Sequence, residues 1–154
     1  MKLHSLFLIT FITAQSLFAG ILSTSTPEEH PSAPSEIYTP QGFDSNDNVE
    51  IFFEGEFSNA CYKVGMTFHS VDEEKKDIYI TDMAYYFGQS FCASVIVPYQ
   101  KRVNAGILDA GDYKIHFRHS RGNFVETGHV SIKPSESASP DDFLYAPVET
   151  AVYI

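Results

Sequence analysis

Between Asn48 and Lys133 the apolar side chains recur at every second position, in short runs separated by turn-forming residues. Val49–Glu54 is the first run. Tyr62, Val64, Met66 and Phe68 alternate with Lys63, Gly65 and Thr67 in the second. Asp77–Thr81 is the third and extends toward Tyr85, Tyr86 and Phe87. Phe91–Tyr99 is the fourth and longest, ending near Pro98, and a short fifth passes through Val103. In the sixth, Asp112–Arg118, the residues Tyr113, Ile115 and Phe117 share one side, and Phe124–Lys133 closes the set. A period of two is that of a strand with one face buried. No stretch keeps a 3.6-residue period. The pattern therefore predicts an all-β domain over residues 43–133, a sandwich or small barrel of about seven strands.

The flanks read differently. Met1–His4 carries one lysine, Leu6–Ala14 is apolar, and small residues return from Ser16 to Gly20. This is the layout of a secretory leader over residues 1–19, with cleavage after Ala19. Its apolar run is shorter than the roughly 20 residues a membrane-spanning helix needs. No cysteine stands near the cleavage zone to carry a lipid. Residues 20–42 hold Pro27, Pro31, Pro34 and Pro40 among Ser, Thr and Glu, a composition expected of a flexible spacer. Residues 134–154 begin as a Ser/Pro/Asp linker and turn apolar again at Phe143, Leu144 and Tyr145. That last segment either packs on the domain, the expected arrangement, or stays exposed and adds as a strand to the sheet edge of a protein partner.

One short motif narrows the fold. Asp109, Gly111 and Tyr113 form D-x-G-x-Y, which resembles the tyrosine corner of immunoglobulin-like domains. The resemblance implies a Greek-key sandwich in which the Tyr113 hydroxyl bonds back to the preceding backbone. Antibody-type domains carry a core cysteine two residues later, where this chain has Ile115, and the chain has no tryptophan. Asn46–Glu50, the Gly55-x-Phe57-x-Asn59-x-Cys61-Tyr62 run and the corner together are similar to small exported bacterial proteins of unknown function. That similarity implies a periplasmic or extracellular setting and no activity. An outer-membrane barrel fits less well, because the runs are uneven.

Two cysteines, Cys61 and Cys92, are expected to form a disulfide in an oxidising compartment, stabilising the fold by roughly 3–4 kcal/mol. Strand parity sets both opposite the inward residues of their runs and predicts a bridge at strand beginnings near a sheet rim. Ten basic against 20 acidic side chains argue against a nucleic-acid partner, and no second apolar run would insert the mature chain into a membrane. Asp44-Ser45-Asn46-Asp47-Asn48 matches the calcium linker of cadherin-like domains, with Asp44, Asn46 and Asp47 as candidate calcium ligands. The competing reading is an ordinary turn before a strand. Tyr85, Tyr86, Phe87 and Phe91 form either core and rim or a stacking platform for sugars or peptides. His116 and His119, three apart on a strand, face opposite ways, unlike a metal pair. No G-x-S-x-G, H-E-x-x-H or phosphate-loop motif occurs, so no catalytic residue and no cofactor other than calcium is nominated. The expected function is an exported, non-enzymatic binding or structural module of the cell envelope. The alternatives are a hydrolase or hydrolase inhibitor with a site assembled from scattered residues, and a calcium-dependent adhesion-like domain.

Overall fold

The computed structural model describes residues 26–88 and 91–140. Among them are eight strands and no helix: β1 (Glu28–Ser32), β2 (Glu36–Tyr38), β3 (Asn48–Phe57), β4 (Tyr62–Asp72), β5 (Asp77–Tyr86), β6 (Val97–Ile107), β7 (Gly111–Arg118) and β8 (Phe124–Ile132). They form two sheets. The larger is organised around β5, which pairs along its whole length with β4. The other edge of β5 is shared end to end. β7 runs parallel beside Asp77–Ile80, and β1 runs antiparallel beside Asp82–Tyr86. β8 lies outside β7. The smaller sheet is β2-β3-β6.

The alternation decides which faces meet. Val49, Ile51 and Phe53 of β3 are buried against Ile78 and Ile80 of β5 and Tyr113, Ile115 and Phe117 of β7. Phe53 meets Phe117 edge-on across the two sheets, with ring centroids 4.9 Å apart. Each such side chain, withdrawn fully from water, contributes about 1.5–3 kcal/mol. At one end of the sandwich Phe57 stacks on Tyr99 at 4.5 Å and on Tyr62 at 5.6 Å. The Cys61–Cys92 disulfide stands at that same end, with Cα atoms 5.4 Å apart. It ties the β3–β4 turn to the connection between β5 and β6, and the Ala60 amide donates to the Ala93 carbonyl beside it.

Four sequence expectations are corrected. The segment 20–42 is not a spacer throughout, because β1 and β2 within it pair with β5 and β3. Short strands need few apolar residues when the sheet edge already supplies hydrogen bonds, and Pro31 sits on an outermost strand, where its missing donor costs little. The fourth run does not begin at Phe91, which is 95% exposed; the strand starts at Val97 and absorbs the short run through Val103. Residues 91–96 are held instead by the disulfide and the Ala60 contact, so Cys92 lies off any strand. The second run is broken by a bulge: Val64 opposes Ala84 but Thr67 opposes Asp82, which places one extra residue in β4 and reverses the faces beyond it. The Tyr113 hydroxyl does not bond back to the upstream backbone. It accepts a hydrogen bond from Lys76 Nζ at 3.0 Å, and the same ammonium lies 4.8 Å from the ring centroid. Lys76 is at the tip of the β4–β5 hairpin with φ 57°, and its carbonyl accepts from the Lys114 amide. The parallel β5–β7 pairing brings this tip to the start of β7.

Candidate interaction surface at the open edge

The two sheets are closed along one side and open along the other. On the closed side Thr39 Oγ1, just after β2, donates to the His129 carbonyl of β8 at 3.3 Å. On the open side stand β4 and β6, each paired on one edge only among the described residues. Residues directly opposite in an antiparallel pair look to the same side of the sheet. Val64 opposes Ala84, Thr67 opposes Asp82, His69 opposes Ile80 and Val71 opposes Ile78. The β5 partners are all buried. Yet Val64 is 47% exposed and His69 is exposed as well. The smaller sheet ends at β6 and has no further described strand to cover them. Met66, within the bulge, and Phe68, on the outer face, add further exposed apolar surface on β4.

A buried charge pair spans the gap. Lys101 on β6 points inward between Tyr99 and Val103, its side chain 12% exposed. Its Nζ donates to the Gly65 carbonyl at 2.8 Å and to Asp82 Oδ1. Asp82 is 1% exposed and also accepts from Thr67 Oγ1 at 2.7 Å. Burial pushes the Asp82 carboxyl above the ordinary aspartate value, against the opposing pull of Lys101 and Thr67. Gly65 is required here: a Cβ at that position would lie 2.5 Å from the Met83 carbonyl oxygen. An inward lysine on one edge strand and a bulge on the other are both devices that discourage indiscriminate strand pairing. In this protein the two devices are hydrogen-bonded to each other. The result is an edge that is apolar and, among the described residues, unpaired, yet held in one register.

The residues nominated from sequence lie elsewhere. Asp44 and Asp47 are buried but direct oxygens at their own loop: Asp47 Oδ2 accepts from the Asp44 amide at 2.8 Å, and Asp44 Oδ1 accepts from the Asn46 amide at 3.0 Å. Asn46 Nδ2 donates to the Ser137 carbonyl, so the loop fastens the chain that leaves β8. Among the described residues no group of three His, Cys, Asp or Glu side chains is arranged to hold a metal ion. Asp109, Gly111 and Tyr113 form the entry to β7, far in function from any open surface. Phe143, Leu144 and Tyr145, the leader and most of the final segment lie outside the described residues. The four aromatics around the β5 end do not make one platform. Tyr86 packs on Tyr62 at 4.8 Å with His30 edge-on to both rings, whereas Phe91 projects alone.

Two other polar groupings were not foreseen. His116 Nε2 bonds Asp77 Oδ1 at 2.8 Å, Tyr79 donates to the same carboxylate at 3.2 Å, and the Tyr79 and His116 rings stack at 5.0 Å. This bond holds the Asp77 carboxyl below its ordinary value. No Ser, Thr or Cys side chain of the described residues bonds His116. On the outer face of the smaller sheet, Tyr38 donates to Glu36 and Glu54, and Gln100 donates to Glu54 at 3.1 Å. Its hydroxyl is pushed well above the ordinary tyrosine range, first by the bond to Glu36. A shallow hollow of about 400 Å³ flanks the Glu54–Gln100 pair.

The family assignment follows from this framework. A family model described as the ORF11 beta-sandwich domain matches residues 51–131, from within β3 to the penultimate residue of β8. The chain belongs to the ORF11 beta-sandwich domain family. The matched span of this ORF11 domain contains both edge strands, the Lys101–Asp82 pair and both cysteines, whereas β1 and β2 precede it. No curated protein and no solved structure matches the chain.

Proposed function

We propose that this ORF11 domain is an exported, non-enzymatic protein-binding module of the cell envelope that takes up an extended segment of a partner along the open edge between β4 and β6. The observation that carries the reading is the exposed inner side of β4: Val64 and His69 lie on the core side of the sheet yet remain exposed among the described residues. A strand added beyond β6 would satisfy the backbone that no described strand pairs and cover that surface together, which is how sheet-edge recognition combines affinity with specificity. Export is supported by the leader-like residues 1–19, and a protein partner in preference to nucleic acid by the formal charge of −10. An immunoglobulin-like, Greek-key ancestry of the sandwich belongs to the same reading and is supported by the D-x-G-x-Y motif at 109–113.

The test uses three forms of the mature chain as bait in envelope extract: wild type, Val64→Glu and Phe52→Ser. Phe52 lies on the outer face of β3, away from the open edge. The reading expects one partner, retained by wild type and Phe52→Ser and lost with Val64→Glu at unchanged thermal stability. A partner that ignores Val64→Glu, or that is lost with Phe52→Ser, overturns it.

A further inference from the structure

We propose that the partner segment taken up at the open edge is a basic, amphipathic strand. Its apolar side chains turn inward over β4, and its lysines or arginines turn outward, one of them reaching across β6 into the hollow between Glu54 and Glu56. The inference rests on the edge reading above and names the chemistry of the partner.

The inward side follows from the register. Beyond β6, a side chain turned inward lies beside Tyr99, Lys101 or Val103. Across the mouth it meets the inner side of β4, where Val64 is 47% exposed. The Lys101 ammonium is already held by Asp82 and the Gly65 carbonyl, so it offers no charge to the newcomer. A charge turned inward here would be buried without a counter-ion, which makes the inward positions of the partner apolar.

The outward side follows from charge complementarity. On the outer face of the smaller sheet Glu54 stands opposite Gln100, and Glu56 stands opposite Pro98. Glu50, further along β3, has its cation in Arg102 at 2.8 Å. Glu54 receives only neutral donors, Tyr38 and Gln100. No lysine, arginine or histidine of the described residues pairs with Glu54 or Glu56. The hollow of about 400 Å³ lies between these two carboxylates on the β3 side and Pro98 and Gln100 on the β6 side. A strand beyond β6 would stand about 10 Å from β3, two strand spacings. A lysine or arginine reaching back over Pro98 and a glutamate reaching out from β3 close that distance between them; shorter side chains do not. The formal charge of −10 also draws a basic segment in and repels an acidic one or a second copy of the chain.

Three labelled synthetic peptides as long as β6 test this on the mature chain: valine alternating with lysine, with glutamate or with serine. Affinity is read by fluorescence anisotropy, and the place of binding by amide exchange of β6, Val97–Ile107. The proposal expects the valine–lysine peptide to bind tightest and to slow exchange of β6. Glu54→Gln with Glu56→Gln should weaken it about fivefold, and added salt should shrink that difference. Glu73→Gln with Glu74→Gln removes the same charge from the hairpin tip at the far end and should bind like wild type. Equal weakening by the two double variants overturns the proposal, because net charge alone then acts. A serine or glutamate peptide that binds as well as the lysine peptide also overturns it; where that peptide slows β6 exchange, the edge reading survives. If no peptide slows β6 exchange, the edge reading falls and this proposal with it. Protection of β6 without peptide that is lost on dilution assigns the edge to a second copy and overturns the proposal as well.

Discussion

Replacing Lys101 by methionine isolates the charge pair at the open edge. Methionine keeps most of the stem that crosses between the sheets and removes the ammonium. Two acceptors then lose their donor, the Gly65 carbonyl and Asp82. Asp82 is 1% exposed, so water reaches the lost partner's place only through relaxation, and the Thr67 hydroxyl and the Met83 amide remain to solvate the carboxylate. Breaking a buried pair from one side costs about 3–5 kcal/mol. The cost of Lys101→Met is placed near the lower end of that range, about 3 kcal/mol, because Lys101 lies at an edge where small relaxations admit water. Combining Lys101→Met with Asp82→Leu removes both charges and leaves an apolar bridge. That double variant is expected within about 1 kcal/mol of wild type, since an ion pair and a well-packed apolar pair are often nearly equivalent.

Urea unfolding of the four members of this cycle measures the coupling directly. The pH dependence supplies a second readout with a definite sign. Burial already raises the Asp82 carboxyl above its unfolded value, and loss of Lys101 raises it further. A carboxyl raised in the folded state keeps its proton when the unfolded chain has released it, so stability falls as pH rises toward the folded value. The deficit of Lys101→Met is therefore full at neutral pH and shrinks as pH falls toward the ordinary carboxylate range. A single variant costing less than about 1 kcal/mol, or a double variant as unstable as the single one, refutes the claim that the pair fixes this edge.

Three further outcomes follow from the same framework. Gly65→Ala puts a methyl group against the Met83 carbonyl and reopens the bulge, so a loss of about 2–3 kcal/mol is expected in the same urea assay, with the Lys101 contact disturbed as well. Removing the disulfide by Cys61→Ala with Cys92→Ala frees a loop with a sequence separation of 31 and lowers stability by about 3–4 kcal/mol, read as a fall in melting temperature that reducing agent reproduces in wild type. Asp77 is held below its ordinary value by His116, so the stability it contributes is present above that value and lost as pH falls through the depressed one; His116→Gln should cost about 1–2 kcal/mol at neutral pH and flatten this acid limb of the stability profile.

How much of this was legible in the chain depended on whether local alternation or long-range pairing decided the outcome. The inward faces of β3, β5 and β7 follow directly from period two, because both neighbours of each strand obey the same rule. β1 and β2 escaped notice because three to five residues with a proline among them have no pattern of their own; their partners on β5 and β3 make them strands. The bulge in β4 was equally hidden. Tyr62 to Phe68 alternates without a break, and the extra residue at Gly65 and Met66 exists only relative to Met83. The Tyr113 motif marked the entry to β7 but not the partner of its hydroxyl, since Lys76 arrives through a parallel pairing 37 residues away.

The edge pair, by contrast, left a trace that went unread. In β5 the inward series runs Ile78, Ile80, Asp82, Ala84, and in β6 it runs Tyr99, Lys101, Val103. Each series contains one charge at a core position, and the two charges are opposite. An ion on an inward face must find its counter-ion or give up its charge, so two lone opposite ions in neighbouring inward series predict each other. Once paired, they predict more. A lysine reaching between sheets can remain ionised only near an opening, and an aspartate fully buried beneath it marks where that opening begins. Parity alone therefore carries the side on which the described sheets stand open, between β4 and β6.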